Sequence, residues 1–150
     1  LTATVPLGPT RWAQALGYGG LMPFVGLALA VWLLGPTDRA RSLSALVAYG
    51  ASILGFLGAV HWGLVMRDAS GGRSTGSLVW GVTPALVAWI ALLIDPVTGL
   101  WMVAAGLWAC FAVDSVTYPH FGVRGWLPMR LALTVVASLC CAAGAIKVMQ

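Results

Sequence analysis

Glutamate and asparagine are absent from this 150-residue chain, lysine occurs once, and charged residues make up 8% against a hydrophobic share of 60%. A soluble globular domain carries roughly 25% charged residues. Twelve charged side chains are too few to cover a particle of 15.6 kDa, so the outside of the fold must face lipid rather than water. The missing glutamate removes H-E-x-x-H metal chemistry, and neither G-x-S-x-G nor a phosphate-binding P-loop occurs. Ser52 and His61 lie on opposite faces of one straight helix, about 13 Å apart along its axis, and so form no catalytic dyad.

What charge there is carries topology. The net charge of +4 comes from cations scattered among apolar runs, with no basic stripe of the kind that neutralises phosphates, so a nucleic-acid partner is excluded. Cys110, Cys140 and Cys141 are an odd set without C-x-x-C spacing and read as buried free thiols, not as a zinc site or a disulfide framework. Two histidines and scattered aspartates offer no metal-ligand pattern, so neither a metal nor a cofactor is expected. No charged n-region followed by an apolar core opens residues 1–10, and membrane targeting is expected to come from the spans themselves.

The apolar runs predict an all-α integral membrane bundle of five transmembrane helices, in a single domain over residues 1–150, with spans at about 16–34, 42–66, 76–94, 96–118 and 127–148. Gly35-Pro36 stops the first span, and Asp95-Pro96 joins the third and fourth in a tight hairpin, with Asp95 as cap and Pro96 in the first turn. Pro23 and Pro84 fall inside spans and predict kinks. An odd number of spans puts the termini on opposite sides. Side one carries Arg11, Arg67, Arg73, Arg124 and Arg130, whereas side two carries Arg39, Arg41 and Lys147, and this bias places the N-terminus in the cytoplasm. Trp12, Trp62, Trp80 and Trp126 near side one, with Trp32, Trp89 and Trp101 near side two, form two interfacial belts, while Trp108 sits at mid-span as a packing residue.

The second span is the most informative. In Tyr49-Gly50-Ala51-Ser52-Ile53-Leu54-Gly55-Phe56-Leu57-Gly58-Ala59-Val60-His61-Trp62-Gly63, the residues Ala51, Gly55, Ala59 and Gly63 recur every fourth position. Such a smooth stripe lets another helix approach closely, within the bundle or in a homo-oligomer. This run resembles the signature of an uncharacterised bacterial membrane family, the domain of unknown function 3429, which includes the eukaryotic transmembrane protein 69. Leu16-Gly17-Tyr18-Gly19-Gly20-Leu21-Met22-Pro23-Phe24, Pro84-Ala85-Leu86-Val87-Ala88-Trp89, Asp114 and Trp126-Leu127-Pro128-Met129-Arg130-Leu131-Ala132-Leu133-Thr134 extend the resemblance over nearly the whole chain. Pro128-Met129 departs from the aromatic residue more common before this arginine. The resemblance implies a small multi-span inner-membrane protein and no established activity. The tryptophan-rich sensory (translocator) proteins share the size and the five spans, but their asparagine-rich helices have no counterpart here.

Ionisable residues inside spans need a partner or a wet cavity. His61, Asp114 and Arg130 enter three different spans, each within about 8 Å of the side-one end, with Trp62 beside the histidine. Three readings stand for this candidate cluster: a structural clamp between helices, a ligand pocket for a quinone head group, lipid phosphate or tetrapyrrole carboxylate, and catalysis. Bis-histidine haem is disfavoured because His120 is expected in a loop. The near-absence of polar loops predicts a non-enzymatic accessory or assembly component that packs against a larger membrane complex, with a respiratory or energy-transducing assembly as one such host. The alternative is a small-molecule protein that binds or transports a quinone, lipid or tetrapyrrole at the cluster. Expected partners are the lipid bilayer, a membrane-protein partner or homo-oligomer, and a quinone or lipid.

Overall fold

A computed structural model describes residues 8–67 and 74–150, so Arg73, counted above among the side-one cations, lies outside the described residues. The helices are α1 (Arg11–Gly19), α2 (Leu21–Leu33), α3 (Pro36–Arg67), α4 (Ser74–Leu93), α5 (Pro96–His120) and α6 (Leu127–Met149), with a 3-10 turn at Arg124–Trp126. Five helices are long and apolar enough to cross a membrane, α1 and α2 together forming the first of them. Their outward faces carry Met22, Leu33, Phe56, Val79 and Val116, all exposed, as lipid solvation requires and water would penalise.

The kink expected from Pro23 lies one turn earlier in the chain, beside the Gly19 carbonyl that the proline leaves free. Pro23 falls in the first turn of α2, and the break sits at Gly20, where Gly20 N–H bonds back to Leu16 O at 3.0 Å and Gly17 O at 3.2 Å. Pro23 has no N–H to give the Gly19 carbonyl, so the ladder is already weakened one turn earlier. The Tyr49 hydroxyl from α3 donates to Gly20 O at 2.8 Å and fixes the break in place. Pro84 lies inside an α4 that runs unbroken from Ser74 to Leu93. Beside it, the Thr83 hydroxyl donates to Val79 O at 3.0 Å.

Helix α3 begins at Pro36, well before the apolar run, because a proline that stops one helix also suits the first turn of the next. Arg39 turns back from that added turn, its Nε donating to Val31 O at 3.0 Å and Nη2 to Leu34 O at 3.3 Å, and so caps the negative end of α2. With 32 residues, α3 rises about 48 Å against a hydrocarbon core of about 30 Å, so it tilts or projects. It is the hub of the bundle, touching α2, α4, α5 and α6, while α2, α6, α5 and α4 close around it in that order. On side two, Trp32 donates its indole N–H to Ala143 O at 3.0 Å, and Lys147 Nζ lies 4.9 Å from the same ring centroid, joining the ends of α2 and α6.

The small-residue stripe is not one continuous seam. Ala51 is buried and a side chain on Gly55 would just meet Ala85, but Ala59 and Gly63 are exposed, and a Cβ on Gly63 would meet nothing within 4 Å. Close approach occurs instead on the neighbouring face, where a Cβ on Gly58 would strike the Gly81 carbonyl of α4. That face also holds Leu54, Leu57 and His61, so the larger apolar residues decide which way the helix turns. Trp62 packs across Gly81 and donates its Nε1–H to Leu78 O at 3.0 Å.

Asp95 caps α5 as expected, accepting from Thr98 N–H at 3.0 Å. This bond to the backbone holds its carboxyl below the usual aspartate range. A depressed native pKa means that the ionised cap contributes above the unfolded value and is lost as pH falls through the native one. The Thr98 amide resonance should therefore titrate with a midpoint below that of a free aspartate, and a midpoint at or above it would contradict the cap.

Gly58→Leu should destabilise the bundle by at least about 3 kcal/mol, because backbone rather than a flexible side chain opposes the added atoms. Gly63→Leu should be near neutral. Thermal unfolding of both in mild detergent checks the pair, and equal losses would contradict the placement of the α3–α4 contact.

Candidate functional site

The buried faces of three helices converge near side one. On α5 the inward residues Leu107, Cys110, Asp114 and Tyr118 follow helical spacing, and on α6 Met129, Arg130, Thr134, Ala137, Ser138 and Cys141 do the same. Helix α3 brings Leu54, Leu57 and then His61. Because α3 and α5 end on side one and α6 begins there, the three polar side chains are delivered to one depth.

The structure brings His61, Asp114 and Arg130 together. Asp114 is 1% exposed, His61 1% and Arg130 6%. Arg130 donates from Nε to Asp114 Oδ2 at 2.9 Å, with Nη2 2.8 Å from the same oxygen. His61 Nε2 lies 3.6 Å from Asp114 Oδ1. The Thr117 hydroxyl spends its proton on Val113 O at 2.9 Å, so at 3.3 Å it accepts from His61 Nε2, which fixes the proton on that nitrogen. His61 Nδ1 is buried and has no partner among the described residues. Thr117 was not foreseen from sequence, nor was Tyr118, whose buried ring stands 6.4 Å from that of His61. The i, i+3 and i, i+4 neighbours of Asp114 were the signal available.

Trp62, grouped with the cluster on sequence grounds, does not join it. Its indole straps α3 to α4 across Gly81, about 100° around the helix from His61. His120 closes α5 instead of lying in the following loop and is exposed there. Gly122 follows with φ +71, the left-handed conformation that turns the chain out of the helix. Arg67 donates to Phe121 O at 2.9 Å and caps the same end. His61 and Asp114 offer two donors to a cation, and among the described residues no group of three or more His, Cys, Asp or Glu side chains assembles. The three cysteines are free, with Cys110 and Cys141 buried.

A cavity of about 740 Å³ lies against this cluster. Its walls come from α1, α2, α3, α5 and α6 and are apolar over most of their length, with Leu16, Phe24, Ile53, Leu57 and Leu133 among the lining residues. Polar side chains gather at one wall, where Tyr118, Arg130 and Thr134 face it, and Arg67 lines it nearer side one. Thr134 is 1% exposed, and its hydroxyl has no partner among the described residues. Its position one helical turn beyond Arg130 is legible in the sequence, yet an isolated threonine in an apolar run gave no reason to single it out. The volume lies within the roughly 300–1,000 Å³ typical of small-molecule sites.

Comparison with known proteins gives a match over residues 9–146 to a family described as protein of unknown function (DUF3429). Transmembrane protein 69 of Xenopus tropicalis is 38% identical over 129 residues, which cover 83% of this chain and 50% of that protein. The chain thus spans about half the length of this curated relative. No solved structure gives a significant match.

Removing one member of the buried pair strands the other in a low-dielectric site. Asp114→Ala should cost about 3–5 kcal/mol, whereas Asp114→Leu combined with Arg130→Met should recover most of that loss. Unfolding measured for the single and double variants in one detergent checks this, and additive losses would contradict a direct ion pair.

Proposed function

This chain belongs to the DUF3429 family of multi-pass membrane proteins of unknown function, and from that premise we propose that it binds a small amphipathic molecule, of the quinone, lipid or tetrapyrrole class, in the cavity between α1–α2, α3 and α6. The observation that carries this reading is the cavity itself: an apolar chamber beside a buried Arg–Asp–His group, opening among lipid-facing helices. Binding is favoured over catalysis because the chamber's lining holds no cysteine, histidine or carboxylate side chain among the described residues. A structural clamp alone would leave the buried Thr134 hydroxyl in the chamber wall without a role.

A second reading, that of a non-enzymatic accessory component of a larger complex such as a respiratory assembly, is favoured by the exposed half of the α3 stripe. Ala59 and Gly63 present a smooth face that nothing among the described residues covers. Stoichiometric partners retained on gentle extraction would support it, and a chain that migrates alone after crosslinking would count against it. For localisation, we propose a bacterial inner membrane with side one cytoplasmic, on the cation bias alone. That arrangement puts the Arg67 end of the cavity toward the cytoplasm.

Native mass spectrometry of protein taken directly from its membrane tests the binding reading. The wild type should retain a small hydrophobic molecule, and Leu133→Trp, which fills the chamber, should lose it without losing thermal stability. Equal retention by both would remove the cavity as the site.

A further inference from the structure

The chamber's polar wall is chemically one-sided. Two guanidiniums, Arg67 and Arg130, line it, and no carboxylate does so among the described residues. Asp114 answers Arg130 from behind, and does so through a single oxygen, since Nε and Nη2 both approach Oδ2. A guanidinium has five N–H donors. The Nη2 hydrogens of Arg130 are buried and make no hydrogen bond among the described residues, although Nη2 stands 2.8 Å from Oδ2. Beside them the Thr134 hydroxyl, 1% exposed and in the chamber wall, is a donor without an acceptor. Buried donors without acceptors are costly, and the cost is greatest in a lipid surround. Asp114 Oδ1 and His61 Nδ1 are also buried without a partner, but neither residue lines the chamber, so what the lining itself calls for is an acceptor group attached to something that fills the apolar remainder.

Resting on the reading that the chamber binds an amphipathic molecule, we infer that its ligand is a single-chain amphiphile with a monoanionic carboxylate head, the head seated on Arg130 and Thr134 and the hydrocarbon chain running along Phe24, Ile53 and Leu57. A carboxylate has two oxygens, one for the free guanidinium edge and one for the threonine hydroxyl. Formal charge favours one negative charge over two. Arg67 and Arg130 against Asp114 leave a single positive charge in the lining and its immediate backing. A monoanion brings the group to neutrality, whereas a dianionic phosphate would leave an uncompensated negative charge at a depth where such charge is expensive. A quinone head would accept from Arg130 and Thr134 but would leave the positive charge unanswered.

The test uses the full chain in nanodiscs of phosphatidylcholine, with protein-free discs as the partition reference. Equilibrium binding of oleate, oleyl alcohol and oleyl phosphate is measured against one competitor. These probes share a chain and differ in the head. Oleate should bind about tenfold more tightly than oleyl alcohol, as a charge-assisted hydrogen bond implies, and more tightly than oleyl phosphate. Asp114→Asn combined with Arg130→Gln keeps a neutral hydrogen-bonding pair and should bring the oleate-to-alcohol ratio close to one while alcohol binding persists. Thr134→Val, which leaves the fold intact, should lower the same ratio by a smaller factor. Equal binding of oleate and oleyl alcohol by the wild type would overturn the carboxylate assignment and leave the binding reading standing. Tighter binding of the phosphate would overturn the monoanion claim. An undiminished ratio in the double variant would overturn the assignment to Arg130, and no binding of any probe would overturn both readings together.

Discussion

A carboxylate held almost wholly out of water inside a lipid-facing bundle persists as an ion only if another helix delivers a cation to it, and α6 does so by setting Arg130 against Asp114 of α5. Much of the side-one half of the molecule depends on this pairing. It fixes the depth of α6 relative to α5, because sliding either helix by one turn would separate the charges by about 5 Å. It fixes their rotation as well, and so sends Cys110, Tyr118, Thr134 and Cys141 to the inner face. His61 completes the group from α3, the helix that touches every other span. In a membrane the hydrophobic effect does not distinguish helix from lipid tail, so specificity of this kind must come from polar contacts and close backbone approach. The bundle has both, one helical turn apart on α3: Arg130–Asp114–His61, and Gly58 against the Gly81 carbonyl.

Fold class was legible because composition alone demanded lipid as solvent and the apolar runs were of spanning length. The depth of the polar group was legible for a related reason: with so few charges, three that enter spans near the same ends stand out. Other features depended on competition between signals that a linear reading weighs separately. At Gly35-Pro36 the stop for one helix doubled as the start of the next, and the polar residues after Pro36 extended α3 beyond the apolar run. Ahead of Pro23 the chain yielded at Gly20, where a glycine gives way more readily and the Tyr49 hydroxyl takes up the carbonyl. On α3, the four-residue repeat of small side chains was real, but leucines and His61 one or two positions away set the buried face.

The site shows the same division. Its charged members were visible as anomalies, while Thr117, Tyr118 and Thr134, which tune and extend it, look ordinary in sequence and acquire meaning only through neighbours on other helices. Trp62 illustrates the converse, since adjacency to His61 in the chain places it about 100° around the helix and against α4. A cavity belongs to no single segment at all. It arises beneath α1, which approaches α6 but not α3, and no local pattern announces it.

The central claim is that the Arg130–Asp114 pair both locks the bundle and presents a cationic edge to an occupied chamber. A crystal structure grown in a lipidic mesophase, from protein extracted without delipidation, examines this most directly. Elongated density along Phe24 and Ile53, ending in a head group within about 3 Å of Arg130 and Thr134, is the expected result. A chamber filled by the chain's own side chains, or density whose polar end lies away from Arg130, would contradict it.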